Sequence, residues 1–321
     1  MRVLIVGSGK KWRMERSTQR ALVRDGHTTH LFDDSRSKQL LGGSLTQKRA
    51  LAVARKFKPD FVILGSCQAL ELRTVEGIVG GKRSAMWYHD APQYRYINRR
   101  DVAHVAAVGK LAESFFVSGF VDEWKALGLR AKFLPSSADK ELGPTKPNKR
   151  FASDVAFIGS GSDRSRATFL SKLAKRFDLK VWGEGWEEWR KQLNWSRRPV
   201  YGHEFAAVCS SAKIILGINP QSARGATNYT SERTWMTVQA GGLYLGQATD
   251  GITSLLREGD HCAWYKDLES CIERCAYYLA NPATRERVRI QGQHFVAEHH
   301  TYDQRIHNIL AGEEFVNPLG H

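Results

Sequence analysis

Short apolar runs, each stopped by glycine or a polar turn and followed by a helical stretch, recur along this chain and restrict its fold class more than any other feature. Arg2–Val6 reads as a buried strand ending at Gly7-Ser8-Gly9, with a helical stretch to about Arg24. Gly26 closes that helix, and His30–Phe32 ends a second strand at Asp33-Asp34. A helix around Thr46–Phe57, the strand Phe61–Leu64, a helix near Leu70–Ile78 and the strand Ser84–Tyr88 come next, and Phe115–Ser118 and Ala131–Leu134 complete the series. Asp139–Ser153, with two prolines, a glycine and no apolar period, reads as a linker. The pattern then restarts with Val155–Ile158, Leu179–Trp182, Lys213–Ile218 and Leu243–Leu245 as strands between helices. Alternation of this kind predicts parallel α/β sheets. The expected organisation is two Rossmann-like domains, 1–138 and 154–321, joined by a linker at 139–153, with helices closing the second domain.

Composition supports this size of fold. The 321 residues are 42% hydrophobic and 25% charged, with mean hydropathy −0.43, which suits two domains of ordinary size. No apolar run approaches the roughly 20 residues of a membrane helix. The first apolar run stops at Gly7 after five residues, too short for a signal peptide, so a cytoplasmic chain starting here is expected. The five cysteines (Cys67, Cys209, Cys262, Cys271, Cys275) form an odd set without a CxxC pair. Buried reduced thiols are expected rather than a zinc site or disulfides.

Charge is distributed unevenly. Residues 1–150 carry 28 Lys and Arg against 14 Asp and Glu, so the first half holds +14 of the formal +15. Net charge speaks to partners rather than to fold, and the first half is expected to meet something anionic.

Several constellations could carry chemistry. Gly7-Ser8-Gly9-Lys10 satisfies neither a Walker A loop, because Lys11 follows, nor GxGxxG, because Arg13 occupies the third glycine position. It serves equally as a tight turn or as a backbone-lined rim. Gly159-Ser160-Gly161-Ser162-Asp163-Arg164-Ser165-Arg166 is a better anion site, with small residues before a helix start and two arginines able to pair phosphate oxygens. Tyr229-Thr230-Ser231-Glu232-Arg233 opens a second helix with hydroxyls at capping positions and an arginine in its first turn. Two such starts in one half suit a diphosphate.

His89-Asp90 ends a strand of the first half, where ligands of open parallel sheets sit. Asp90 could act as a general base with His89 orienting it, or could simply cap the next helix. Asp33-Asp34 is a rival carboxylate pair whose position also suits a turn. Lys10, Lys11, Trp12 and Arg13, and after Pro92 the residues Tyr94, Arg95, Tyr96, Arg99 and Arg100, interleave cations with aromatics as nucleic-acid surfaces do. A solvated basic face would look similar. The set Trp182, Trp186, Trp189 and Trp195 reads mainly as packing, although the loop after Trp182 could face a nucleobase.

An ordered series in the second half resembles the CgeB-like, spore-maturation type of nucleotide-sugar glycosyltransferase. It runs from Asp154-Val155-Ala156-Phe157-Ile158-Gly159 through Arg164 and Arg166 to Ile218-Asn219, Ser231-Glu232-Arg233-Thr234-Trp235 and Ala240-Gly241-Gly242. It ends in Leu256–Asp260, Tyr277–Pro282 and Glu298–Tyr302. The resemblance implies a GT-B fold, with two Rossmann-like domains facing across a cleft. It also implies a nucleotide-sugar, UDP-glucose favoured, held near Gly159, Ser160, Arg164, Arg166, Asn219, Tyr229, Ser231, Glu232 and Arg233. No further cofactor and no metal is expected. Met236 stands where that pattern carries a glutamate that holds the donor ribose, so Glu232 substitutes, the ribose is held otherwise, or donor binding is altered.

The implied reaction is attack of an acceptor hydroxyl on the anomeric carbon, with Asp90 as base and inversion as the outcome. The +14 domain would receive an anionic acceptor. A hydroxymethylated base in DNA is the first candidate, since phage DNA glucosyltransferases are similar in architecture; the base would be flipped out at a cost of a few kcal/mol. Anionic surface polymers, lipid-linked sugars or proteins are the alternatives, although no long amphipathic basic helix stands out in the sequence for membrane attachment. A different reading is a non-catalytic nucleotide- or nucleic-acid-binding protein that keeps the shell of this fold. An NAD-dependent enzyme is disfavoured by Arg13.

Overall fold

The computed structural model describes residues 1–92, 99–219 and 229–320, and of residues 99–101 the backbone only. The chain divides into two compact units, Met1–Pro135 with Tyr302–Val316, and Ser136–Thr301 with Asn317–His321.

In the first unit the strands are β1 (Arg2–Gly7), β2 (Thr28–Asp33), β3 (Phe61–Leu64), β4 (Arg83–Tyr88), β5 (Ser114–Val117) and β6 (Ala131–Phe133). They form a parallel sheet in the order β2-β1-β3-β4-β5-β6. β3 and β5 are buried along their whole length and β1 and β4 along all but one residue, whereas the edge strand β2 is partly exposed. Near-continuous apolar runs are what a parallel sheet covered on both faces requires, and an edge relaxes that demand. The covering helices are α1 (Met14–Arg24), α2 (Asp34–Phe57), α3 (Leu72–Val79), α4 (Arg99–Leu111) and α5 (Val121–Ala126).

Two features differ from the sequence reading. α2 begins at Asp34, not near Thr46. The Asp33 carboxylate accepts from the Arg36 amide at 2.9 Å, and the helix is interrupted at Gly42, whose φ is 77°. A Gly-Gly pair lowers helix propensity and hides the first segment from a periodicity argument. Second, residues 302–316 belong to the first unit, although the sequence reading ran the second domain through 321. The last helix, α12 (Tyr302–Ala311), buries Tyr302, Ile306 and Ile309 against Trp87 and Leu134. Arg24 holds Asp303 at 2.8 Å, and the buried Arg305 donates from Nε to the Pro135 carbonyl at 3.0 Å.

The second unit has β7 (Ser153–Ile158), β8 (Leu179–Trp182), β9 (Asn194–Trp195), β10 (Ala212–Gly217), β11 (Tyr244–Gln247) and β12 (Ala263–Tyr265), in the order β12-β11-β10-β7-β8-β9 and again parallel. Its helices are α6 (Arg164–Leu173), α7 (Gly202–Ser211), α8 (Glu232–Gln239), α9 (Ile252–Leu255), α10 (Leu268–Ala280) and α11 (Pro282–His299). Asp267 and Ser270 form a reciprocal capping box at the start of α10. The segment read as a linker lies on this unit: the Thr145 and Asn148 amides donate to Ser210 and Ser211 on α7, both at 2.9 Å, and Phe151 is buried.

All five cysteines are buried and free. No described helix is long and apolar enough to cross a membrane, and among the described residues no three His, Cys, Asp or Glu side chains converge on a metal-sized site.

Candidate functional site

Strand order locates the candidate sites. In open parallel sheets, ligands bind beyond the carboxyl ends of the strands where the order reverses. That switch lies between β1 and β3 in the first unit and between β7 and β10 in the second.

At the first switch stand the loops after β1, β3 and β4. The Glu15 side chain turns back under the β1 loop and accepts the Ser8 amide at 3.0 Å. A Cβ on Gly7 or Gly65 would lie 2.6 or 2.7 Å from its Oε1, so these two glycines leave the space the carboxyl occupies. Burial raises the pKa of Glu15, opposed by its hydrogen bonds and by Arg13. Asp34 is raised by burial too, and accepts from the Ser35 amide at 2.8 Å and the Ala69 amide at 3.1 Å. Asp33 and Asp34 are thus both engaged in turns. Cys67, with φ 49°, is fully buried beside these carboxylates, and burial and their charge push its thiol well up. Periodicity arguments missed this Glu15–Asp34–Cys67 group. The signal available was a polar residue in the first turn of α1, at the start of α2 and in the loop after β3.

Asp90 follows β4 with an exposed side chain. Its carboxyl is nonetheless held above the ordinary range, because the surrounding protein thins its water, with the Arg13 guanidinium opposing. Arg13 and Asp90, from separate sequence motifs, are thus near enough to interact electrostatically. His89 packs on Trp87 at 4.5 Å between ring centroids. Its Nε2 is buried without a partner among the described residues, and burial lowers its pKa to about 3. At neutral pH it is an uncharged imidazole, suited to orienting a neighbour rather than to donating a proton. Because the folded value lies below the unfolded one, its stabilising contribution is complete above pH ~6.5 and is lost as pH falls towards 3. The His89 ring resonances are accordingly expected to stay constant between pH 5 and 8 in a nuclear magnetic resonance titration. A midpoint near 6.5 would show instead a solvated, chargeable ring.

Lys10, Lys11 and Arg13 are exposed, while Trp12 is half-buried with Lys11 Nζ 4.9 Å and the Arg20 guanidinium 5.4 Å from its ring. Arg16 and Arg20 hold the loop through the carbonyls of Gly9 and Lys11. The ring is therefore already engaged by cations. Tyr94, Arg95 and Tyr96 lie outside the described residues, as do the side chains of Arg99 and Arg100.

At the second switch, the loops 159–161 and 183–185 pack backbone against backbone. The Gly159 amide donates to Trp182 O and the Gly161 amide to Glu184 O, both at 2.8 Å, while Trp186 Nε1 donates to Gly159 O at 2.9 Å. A Cβ on Gly161 would stand 2.2 Å from Gly185 O. The amides of both glycines are thus used within the fold. Ser160 Oγ bonds Ser162, and Asp163 caps α6 through the Ser165 amide. Arg164 is exposed and pairs Glu188 at 3.0 Å.

Arg166 is different. It is 7% exposed and donates one guanidinium N–H to Ile218 O at 2.9 Å, at the end of β10, while its Nε has no acceptor among the described residues. Arg233, in the first turn of α8, lies 5.8 Å from the Phe157 ring, and a Cβ on Gly159 would come within 3.3 Å of its guanidinium carbon. Both arginines act electrostatically on the buried Tyr244 hydroxyl, which accepts from Thr234 Oγ1 at 3.0 Å and fills the space above Gly217. Asn219 is half-buried at the same strand end. Ser231 caps α8 without a side-chain bond, Tyr229 and Glu232 are half-buried beside it, and Thr230 is bonded to Ser136. Met236 packs into the apolar layer with Phe151, Trp182 and Ile215. Two buried or half-buried cations at one switch point, one with an unused donor, suit an anionic ligand. Tyr244 was missed by sequence reasoning, because a buried tyrosine reads as core; Thr234 entered that reading only as part of the helix-start motif.

Residues 164–311 match the family described as glycosyl transferase-like. Among solved structures, HepE from Anabaena in complex with UDP-glucose superposes with a TM-score of 0.68 at 13% identity, covering 97% of this chain and 99% of that one. The fold is GT-B. Sucrose-phosphate synthase from Thermosynechococcus elongatus gives a TM-score of 0.68 at 11% identity over 97% and 98% of the two chains. The lipopolysaccharide outer core galactosyltransferase WaaB, in its apo form, gives 0.57 at 11% over 97% and 99%. No curated protein sequence matches the chain. Both sheets of this GT-B chain, each six-stranded among the described residues, are thus accounted for, and residues 164–311 are similar to the glycosyl transferase-like family.

Proposed function

We propose that this chain transfers a sugar from a nucleotide-sugar, with UDP-glucose favoured, to a hydroxyl of an acceptor received by the first unit. The observation that carries this reading is Arg166: a buried guanidinium whose Nε has no acceptor among the described residues, at the switch point of the unit whose residues match the glycosyl transferase-like model. UDP or UDP-glucose is the ligand of the HepE structures, which supports the choice of donor.

In the reaction, the acceptor oxygen bonds to the anomeric carbon, the bond from that carbon to the diphosphate breaks, and the hydroxyl proton passes to Asp90. Arg166, Arg233 and the N-terminus of α8 stabilise the charge on the departing diphosphate, a role that needs no metal ion. The ordered motifs support a CgeB-like subtype, and the five buried thiols accord with a cytoplasmic site of action. The charge of the first half supports an anionic acceptor, with a hydroxymethylated base in DNA the first to test. Met236, packed in the apolar layer, leaves the donor ribose without a carboxylate from that position and favours, as a second reading, a nucleotide-binding protein without turnover.

UDP release from UDP-glucose should be measured with hydroxymethylcytosine duplex DNA, with unmodified duplex and without acceptor. Release with the modified duplex alone is the expected outcome. Silence with this and other nucleotide-sugars, while nucleotide still binds, would favour the binding-protein reading.

A further inference from the structure

The interruption of α2 builds an unusual surface on the first unit. Residues 38–45, Lys-Gln-Leu-Leu-Gly-Gly-Ser-Leu, are all exposed, and Leu40, Leu41 and Leu45 are 68%, 36% and 54% accessible. Core packing does not account for three leucines in one exposed bend. The bend is held in shape from beneath. Thr46 Oγ1 donates to Gly42 O at 2.8 Å, closing the kink. Gln47 Nε2 donates to Gly43 O at 3.2 Å and to Ala69 O at 3.0 Å, while Gln47 Oε1 accepts the Glu71 amide. The leucines are therefore presented by a fixed turn.

Along α2 beyond its first turn the charge has a single sign, and the exposed Glu71 beside Gln47 is paired with Arg73. Residues 35–59 contain seven cations, Arg36, Lys38, Lys48, Arg49, Arg55, Lys56 and Lys58, and no Asp or Glu. All seven are exposed, and no salt bridge engages any of them among the described residues. An apolar tip on a basic collar matches the chemistry of an anionic bilayer, where leucines enter the acyl boundary and cations stay with the headgroups. Membrane binding of this kind scales with the apolar area buried together with the attraction of cations to anionic lipid, and the bend offers both. A nucleic-acid groove would use the cations but would leave the leucines against phosphate and water, and the collar carries no exposed aromatic ring for stacking. The sequence did not display this element as an amphipathic helix, because the turn at Gly42 breaks the period.

We propose that the α2 bend docks the protein on anionic lipid surfaces, with Leu40, Leu41 and Leu45 inserted and the flanking Arg36, Lys38, Lys48 and Arg49 on the headgroups, while Arg55, Lys56 and Lys58 lie roughly 15–20 Å farther along α2 and add longer-range attraction. This docking is independent of glycosyl transfer and would bring the basic unit to an acceptor carried on such a surface. The test is flotation of the full chain with vesicles of phosphatidylcholine alone, and with vesicles containing about 30% phosphatidylglycerol. Binding is expected to the anionic vesicles only, weakening as salt rises from ~50 to ~300 mM. The double variant L40D/L45D, at exposed positions, should lower the partition coefficient at least about tenfold, and K38E/K48E should do so at low salt. Circular dichroism and thermal melting check that both remain folded. Equal binding of the variants and the parent, or no binding to anionic vesicles, would overturn the proposal. So would duplex DNA binding that is lost in the leucine variant while vesicle binding is not.

Discussion

Asp90→Asn is expected to reduce kcat by roughly 10²–10⁴, the range a positioned general base contributes, with little change in donor affinity. The amide keeps the size and the hydrogen-bonding reach of the carboxylate and loses only the capacity to take the acceptor proton. The pH profile adds an independent readout. The carboxyl, though its side chain is exposed, is held above its ordinary range by the desolvating protein around it, and the base works only when ionised. Activity should therefore rise with pH through a value higher than that of a free aspartate, about 4. The sign for stability is opposite. A carboxyl with a raised folded pKa contributes stability at low pH that is lost as pH rises through that value. The Asp90→Asn protein should accordingly be at least as stable as the parent at pH 8. Asp33→Asn is the comparison, since that carboxylate already caps α2. Turnover by Asp90→Asn close to that of the parent would remove Asp90 from the mechanism.

Arg166→Ala should cost about 10²–10³ in kcat/KM, or ~3–4 kcal/mol, as loss of a charge-stabilising donor does in a water-poor site. Arg164→Ala should cost no more than a few-fold. Both arginines stand on the same helix and look interchangeable in the sequence, yet their surroundings separate them. The Arg164–Glu188 pair is 80% and 71% exposed, and solvent-exposed pairs contribute at most about 1 kcal/mol. Arg166 is buried against Ile218 O, so removing it also leaves a carbonyl unpaired, at a stability cost of ~1–3 kcal/mol. Calorimetric titration of UDP, with a melting curve alongside, distinguishes loss of ligand from loss of fold. Arg166→Lys retains the charge but not the planar fork and should recover part of the affinity. A folded Arg166→Ala protein that binds UDP as the parent does would overturn the donor assignment.

Much of the architecture was legible because each strand is short, apolar and bounded. β3 is a continuous apolar run and β5 is one from Phe115 to Val117, and the burial of a parallel sheet on both faces produces that pattern directly. The start of α8 was equally readable from the hydroxyls before Glu232, whereas α6 begins at Arg164, two residues before the Arg166 at which the sequence reading started it, because Asp163 caps it. The site was legible in kind but not in detail. The glycines of 159–161 read as donors to an anion. In the fold the Gly159 amide serves the end of β8 and the Gly161 amide the neighbouring 183–185 loop, and close backbone approach is what requires glycine there. Conversely, the α2 bend was hidden because Gly42-Gly43 interrupts the helical period that a sequence reading relies on.

The order of amino acids alone dictates where chain direction and burial alternate, which residues begin helices, and on which half the charge lies. These are local properties, set by side-chain chemistry within a few residues. Tertiary packing decided the order of strands, and with it the two switch points where ligands can enter. It also decided that the Tyr302–Ala311 helix packs with the first unit, that Arg166 is buried while Arg164 is exposed, and that three leucines face water. Such outcomes depend on contacts between segments far apart in the chain, where burial and desolvation outweigh local preference, and no short window of sequence contains them.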